Sequence, residues 1–323
     1  MAAIIETRNL VKRYGRLTAV DDVSLSVEEG AIYGFVGPNG AGKTSTMRIL
    51  TTLLQPTSGQ AWVAGHSVSH DPRGVRRAIG YMPDFFGVYD DMKVWEYLDF
   101  FAACYDVPEA QRPALIGDLM ELVDLSHRKD DLVDTLSRGM KQRLCLARTL
   151  AHDPRVLILD EPASGLDPRA RIEIRELLLE LARLGKTIFF STHILADVAE
   201  ICSEIGIIEA GRLVAHGKPE EMHRRLIPHR RLAVTLLGQA AQAQEALRQF
   251  DKVENVEELK SGANGGEGAA GRTTLHVDFA GDDEAVAALL ADMVRQGLPV
   301  IHLSEETRDL EEVFMRATKG IVS

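Results

Sequence analysis

The sequence predicts an α/β chain whose core holds parallel strands, with a smaller α+β domain behind it. Three observations carry that expectation. Gly37-Pro38-Asn39-Gly40-Ala41-Gly42-Lys43-Thr44 lies between an apolar run at 31–36 and helix-patterned residues at 45–54. Val156-Leu157-Ile158-Leu159 is a stretch of consecutive apolar residues, as suits a parallel strand buried on both faces, and it ends in Asp160-Glu161. From residue 231 onward the rhythm changes to strand, helix, strand, strand, helix, strand, a ferredoxin-like order.

Taken in order, residues 4–11 and 23–27 alternate as short strands do. Tyr14-Gly15 falls in a polar turn between them. An aromatic there suits stacking on an adenine ring and equally suits an ordinary surface tyrosine. After the helix at 45–54 come a turn cluster at 55–59, a strand at 61–65, a helix at 73–78 and a strand at 79–82. The apolar-rich loop 83–91 follows. Residues 93–152 are mostly helical, with Leu, Phe and Val at three- and four-residue spacing, and read as an inserted helical subdomain.

Within it Leu136-Ser137-Arg138-Gly139-Met140 opens a helix for which Ser137 is a good N-cap. Ser164-Gly165-Leu166-Asp167 is a turn into an amphipathic helix at 169–184, and a buried strand at 187–191 ends at Thr192-His193. A helix at 194–202 and a hairpin at 205–217 complete this half. The segment 223–231 is basic, either a solvated face or a contact for acidic lipid or a partner. The second domain places strands at 231–237, 253–260, 273–279 and 300–303, helices at 240–250 and 282–296, a glycine-rich loop at 261–271 and a last helix near 310–318.

Composition narrows the class. Over 323 residues, 45% hydrophobic and 26% charged content is that of a globular protein, and no apolar run approaches a membrane span. The N-terminus lacks the basic and apolar regions of a secretion signal. Three widely spaced cysteines suit neither a metal site nor a disulfide framework and fit a reducing cytosol. A net charge of −11 disfavours broad nucleic-acid binding.

The chemistry starts at 37–44, which matches G-x-x-x-x-G-K-[ST] in the strand–loop–helix context that this phosphate-binding loop requires. Glycines let the backbone wrap a phosphate, and the amides at the helix start present partial positive charge. Lys43 is placed for the β- and γ-phosphates and the Thr44 hydroxyl for Mg²⁺. Ligands of open α/β sheets sit beyond the carboxyl ends of the strands. Asp160 is therefore a further Mg²⁺ ligand, and Glu161 orients or activates a water beside the γ-phosphate. His193, also at a strand's carboxyl end, can reach the same crevice, although a lone histidine is commonly structural.

In combination these residues resemble the ATP-binding subunits of ABC transporters, with motifs from 4 to about 227 in the family's order. The resemblance implies a P-loop (RecA-like) cassette with antiparallel β and helical subdomains, ATP and Mg²⁺ as cofactors, and ATPase activity. It assigns Tyr14 to adenine stacking and Gly37, Pro38, Asn39, Gly40, Ala41, Gly42, Lys43, Thr44 and Ser45 to ATP binding. Ser137 and Gly139 become the signature that meets ATP bound by a second copy, Asp167 the D-loop aspartate and His193 the switch histidine. The second domain and its ending, Glu305 to Phe314, are similar to type-2 exporter ATPases of the daunorubicin-resistance kind.

Expected domains are 1–227, with a helical subdomain at about 85–152, and 228–323, an accessory or regulatory domain. Expected partners are a membrane permease and a second copy, at the cytoplasmic face of the membrane. The apolar loop around Phe85, Phe86, Val88 and Tyr89 is the expected dock for the permease. The other readings are a soluble ABC ATPase without a permease and a nucleotide-dependent regulator. Two departures from the family pattern matter, one at Asp84 and one in the signature. Asp84 stands where glutamine is usual and, with a carboxylate's affinity for hard cations, joins the Mg²⁺ candidates. Arg138 and Met140 stand where glycine and glutamine are usual.

Overall fold

The computed structural model describes residues 3–85, 87, 89, 91–219, 221–222, 230–238, 240–258, 272–306 and 318. They fall into two compact units, one of Met1–Pro219 with Ala317–Ser323 and one of Glu220–Arg316.

The first unit holds two sheets. β1 (Ala3–Tyr14), β2 (Leu17–Glu28), β4 (Ser58–Val63) and β5 (His66–Ser67) form an antiparallel sheet in the order β2-β1-β4-β5. Alternation drives it: Val23, Leu25 and Val27 of β2 are buried while their neighbours face out. The second sheet adds β3 (Ile32–Val36), β6 (Ile79–Met82), β7 (Val156–Asp160), β8 (Thr187–Thr192), β9 (Glu204–Glu209) and β10 (Arg212–Gly217). Its order is β10-β9-β3-β8-β7-β6; all pairs are parallel except β10 with β9. β3, β7 and β8 are buried along their whole length, as expected of strands covered on both faces. Tyr33 and Phe35 of β3 pack on Phe189 of β8 with ring centroids 5.3 and 5.4 Å apart, tying the two central strands together.

Helices α1 (Lys43–Leu50), α2 (Pro72–Ala78), α6 (Pro168–Arg183) and α7 (Leu195–Ile201) connect the strands. Between β6 and β7 lie α3 (Val94–Cys104), α4 (Arg112–Leu122) and α5 (Arg138–Leu150), with short 3₁₀ turns between them. The helix predicted over 45–54 stops at Leu50. Thr52 turns into the left-handed region at φ 64°, and β4 takes in Ser58 and Gly59 from the predicted turn.

The second unit comprises β11 (Arg230–Leu237), α8 (Ala240–Arg248), β12 (Val253–Glu258), β13 (Arg272–Phe279), α9 (Asp283–Arg295) and β14 (Val300–Glu306). Its antiparallel sheet runs β12-β13-β11-β14, the ferredoxin-like arrangement the sequence predicts. Leu232, Val234 and Leu236 alternate inward against Leu247, Leu289 and Met293. Arg230 links Glu305 and Asp283, joining β11 to β14 and to the start of α9. Residues 223–229 of the basic segment, the loop 261–271, residues 310–317 of the last predicted helix, and Phe86 and Val88 lie outside the described residues.

Candidate functional site

The central sheet brings the carboxyl ends of β3, β8 and β7 side by side, with Val36 beside Thr192 and Asp160 beside Ser191. The phosphate-binding loop leaves β3 and enters α1 at Gly42, whose φ of 105° favours glycine. A Cβ there would meet the Ala19 carbonyl oxygen at 2.3 Å, so the tight approach of β2 also demands glycine. No side chain caps α1. Its first amides have no intrahelical acceptors, and the helix dipole gives them a polarity that suits an anion. Lys43 is buried. Its Nζ donates to the carbonyls of Gly37 at 2.6 Å and Pro38 at 3.2 Å and stands 3.4 Å from Glu161 Oε1.

Glu161 follows β7 in the left-handed region, at φ 52°. That is a strained setting for a side-chain-bearing residue and a common one at functional sites. Its backbone N–H donates to Ser191 Oγ at 2.9 Å, and that hydroxyl donates to Asp160 Oδ1 at 2.6 Å. His193 Nδ1 lies 2.9 Å from Glu161 Oε2. Lys43, Glu161 and His193 therefore form one chain of polar contacts at the end of the sheet.

A cleft of about 300 Å³ opens over Lys43 and Glu161, while His193 and Asp160 stand outside its lining. It is lined by Tyr14, Leu17 and Ala19, by Pro38, Asn39, Gly40, Ala41, Gly42, Lys43, Thr44 and Ser45, and by Asp84 and Glu161. Tyr14 stands at one end, half exposed, with Lys12 Nζ 5.3 Å from its ring centroid. Ser137, Gly139 and Asp167 do not line the cleft. They gather elsewhere: Ser137 caps α5 and Asp167 caps α6, and a Cβ on Gly139 would lie 3.3 Å from Ala170 Cβ.

The residues present fit a divalent cation. Asp160 Oδ2 is buried with no hydrogen-bond partner among the described residues. An orphan carboxylate oxygen of that kind calls for a ligand. The Asp84 carboxyl is pushed up from its ordinary range by burial and by the charges of Asp160 and Glu161, so the corner is crowded with negative charge. Among the described residues no three His, Cys, Asp or Glu side chains converge to hold a metal by themselves. Mg²⁺ is commonly held by one or two carboxylates plus substrate phosphates, so the set suits an ion that arrives with a nucleotide.

Sequence reasoning missed Ser191, the hydroxyl shared by Asp160 and Glu161; only the β7–β8 register reveals it. It also missed Leu17 and Ala19 as cleft walls, since β1 and β2 place them there through a hairpin.

A family model described as ABC transporter matches residues 20–164. The Nod factor export ATP-binding protein I of Ralstonia nicotianae is 34% identical over 318 residues, covering 98% of this chain and 94% of that protein. The linearmycin resistance ATP-binding protein of Bacillus subtilis is 28% identical over 319 residues, covering 98% of each. A solved ATP-binding subunit of an ABC transporter shares the fold with a TM-score of 0.63 at 29% identity, covering 69% of this chain and 92% of that one.

Proposed function

Because this chain belongs to the ABC transporter ATP-binding family, we propose that it hydrolyses ATP to drive export through a separate membrane permease, working as a pair of copies. The observation that carries the reading is a cleft walled by the phosphate-binding loop, with Lys43 and Glu161 in its lining and His193 bonded to Glu161. The uncapped start of α1 and Lys43 hold the phosphates. Tyr14 offers its ring to the base. Glu161 takes up and orients the attacking water, and His193, bonded to it, fixes that carboxylate and approaches the γ-phosphate. Thr44, Asp160 and Asp84 are the residues that would hold Mg²⁺, which when bound neutralises phosphate charge.

Ser137 and Gly139 lie away from their own cleft, which supports a role on ATP held by the second copy. ATP then lies between two positively polarised surfaces and joins them; hydrolysis weakens the join.

The relatives named for Nod factor export and linearmycin resistance support export as the transported direction. Among the described residues no helix is long and apolar enough to cross a membrane. The reading pairs the chain with a separate permease at the inner membrane face. Phe85 is 89% exposed, and Tyr89 packs edge-on against the partly exposed Phe100 at 5.5 Å. This aromatic patch is where a permease helix would seat.

ATPase activity measured alone and then with membranes containing a candidate permease tests the reading. Stimulation by those membranes supports it. Alanine at Phe85 and Tyr89 should abolish transport and leave ATP binding intact; unchanged transport would remove the docking assignment.

A further inference from the structure

We propose that Arg138, a departure from the family signature, is a positioning residue for hydrolysis: its guanidinium, seated on the Ser164-Gly165 turn of its own chain, holds the loop that begins at Glu161. The inference rests on the ATPase reading above and adds a residue to it.

Arg138 is the first residue of α5, just after its cap. A cation there opposes the helix dipole, so its position is set by something other than the helix. Arg138 Nη2 donates to the Ser164 carbonyl oxygen at 3.1 Å, across 26 residues of sequence. The guanidinium also lies against Gly165. A Cβ added to Gly165 would stand 2.5 Å from Arg138 Cζ and 2.6 Å from each terminal nitrogen. Gly165 has φ +67°, so glycine both allows the turn and leaves room for the arginine.

The loop under that contact is short and closed at both ends. Ser164 N–H donates to the Glu161 carbonyl at 3.1 Å, and Leu166 N–H donates to Ala163 at 3.4 Å. At its far end Asp167 Oδ1 accepts from Ala170 N–H at 2.9 Å, and Arg171 Nε donates to the Leu166 carbonyl at 3.3 Å. Arg138 restrains the middle. Glu161 needs such restraint, because its left-handed backbone persists only where its surroundings enforce it. The charge of Arg138 also reaches Asp84, where it opposes the push of Asp160 and Glu161 on that carboxyl. Arg138 does not line the nucleotide cleft of its own chain, so its action on the reaction there is through the loop.

The test is steady-state ATP hydrolysis by the full-length chain over a range of ATP concentrations. Arg138→Ala should lower kcat about tenfold, the scale of one charge-assisted hydrogen bond, with KM for ATP within about twofold. Arg138→Lys should recover only part of the loss, because an ammonium cannot donate to Ser164 and lie flat on Gly165 together. Gly165→Ala, made in the wild type and in Arg138→Ala, completes a double-mutant cycle. The backbone strain of Gly165→Ala is common to both backgrounds and cancels, so a smaller effect without the arginine measures the contact. Wild-type kcat in Arg138→Ala, a KM that rises as kcat falls, or full additivity in the cycle would each overturn the inference and leave the ATPase reading standing. A wild-type chain that turns over no ATP would overturn both.

Discussion

Helices α1 and α5 both begin at small residues that the sequence marks for phosphate contact, yet their first amides are used differently. α1 starts at Gly42 with no side-chain cap. α5 starts at Ser137, whose hydroxyl accepts from Met140 N–H at 3.3 Å. An uncapped start keeps all its amides for an anion, whereas at α5 the serine hydroxyl already takes one of the first-turn amides. Under the proposed function, the contrast teaches how one chain could carry two unlike phosphate-facing surfaces. The surface at α1 is ready to bind in its own cleft. The surface at α5 already engages its serine in a cap, and under the proposed function it would release that serine to ATP held by a second copy.

The sharpest way to separate the two surfaces is Glu161→Gln. Turnover should fall about 10³-fold, within the range general-base groups supply. ATP binding at α1 should persist, and an ATP-joined pair should accumulate in size-exclusion chromatography. Turnover near wild type would show that Glu161 has another role. Next in size is Lys43→Ala, which disables the α1 side alone. ATP affinity should weaken roughly 10- to 100-fold, the scale of lost charge-assisted hydrogen bonds, in a direct binding titration.

Ser137→Ala acts on α5 alone. The isolated chain should bind ATP as before, turnover should drop roughly tenfold, and the lost cap should lower stability by about 1 kcal/mol in denaturant unfolding. Equal ATP affinity loss in the Lys43 and Ser137 variants would erase the distinction between the two helix starts.

The smallest effect concerns a third helix start. Asp197 sits in the first turn of α7, buried, with Arg175 at 3.7 Å and Glu200 nearby on the same arginine. Burial pushes its carboxyl up from the ordinary range, and Arg175 opposes the shift only in part. A folded-state value above the unfolded one means that the proton favours folding. That contribution is whole below the ordinary carboxylate range and is lost as pH rises through the folded value. Asp197→Asn removes the titration. Its Tm relative to wild type should therefore rise between pH 4 and pH 7; a difference independent of pH would contradict this.

What the sequence made legible was local. The loop at 37–44, the apolar run into Asp160-Glu161 and the βαββαβ rhythm each declare themselves within a few residues, because strand and helix periods and glycine geometry are local properties. What stayed hidden depends on chain segments meeting. Ser191 reaches Asp160 only through strand pairing, Arg138 reaches Gly165 across a subdomain boundary in sequence, and Ala19 explains Gly42 only once β2 is beside the loop. Even the early end of α1 follows from the left-handed turn at Thr52, which helical periodicity does not register.

The hydroxyl of Ser191 has a consequence for heat. By bonding Asp160 and the Glu161 backbone at once, it keys two adjacent strand tips with a single atom. Loosening the tip of β8 would misplace both carboxylates together, before the buried body of the sheet lets go. Activity should then vanish on warming as one event, at a temperature below that at which the protein melts.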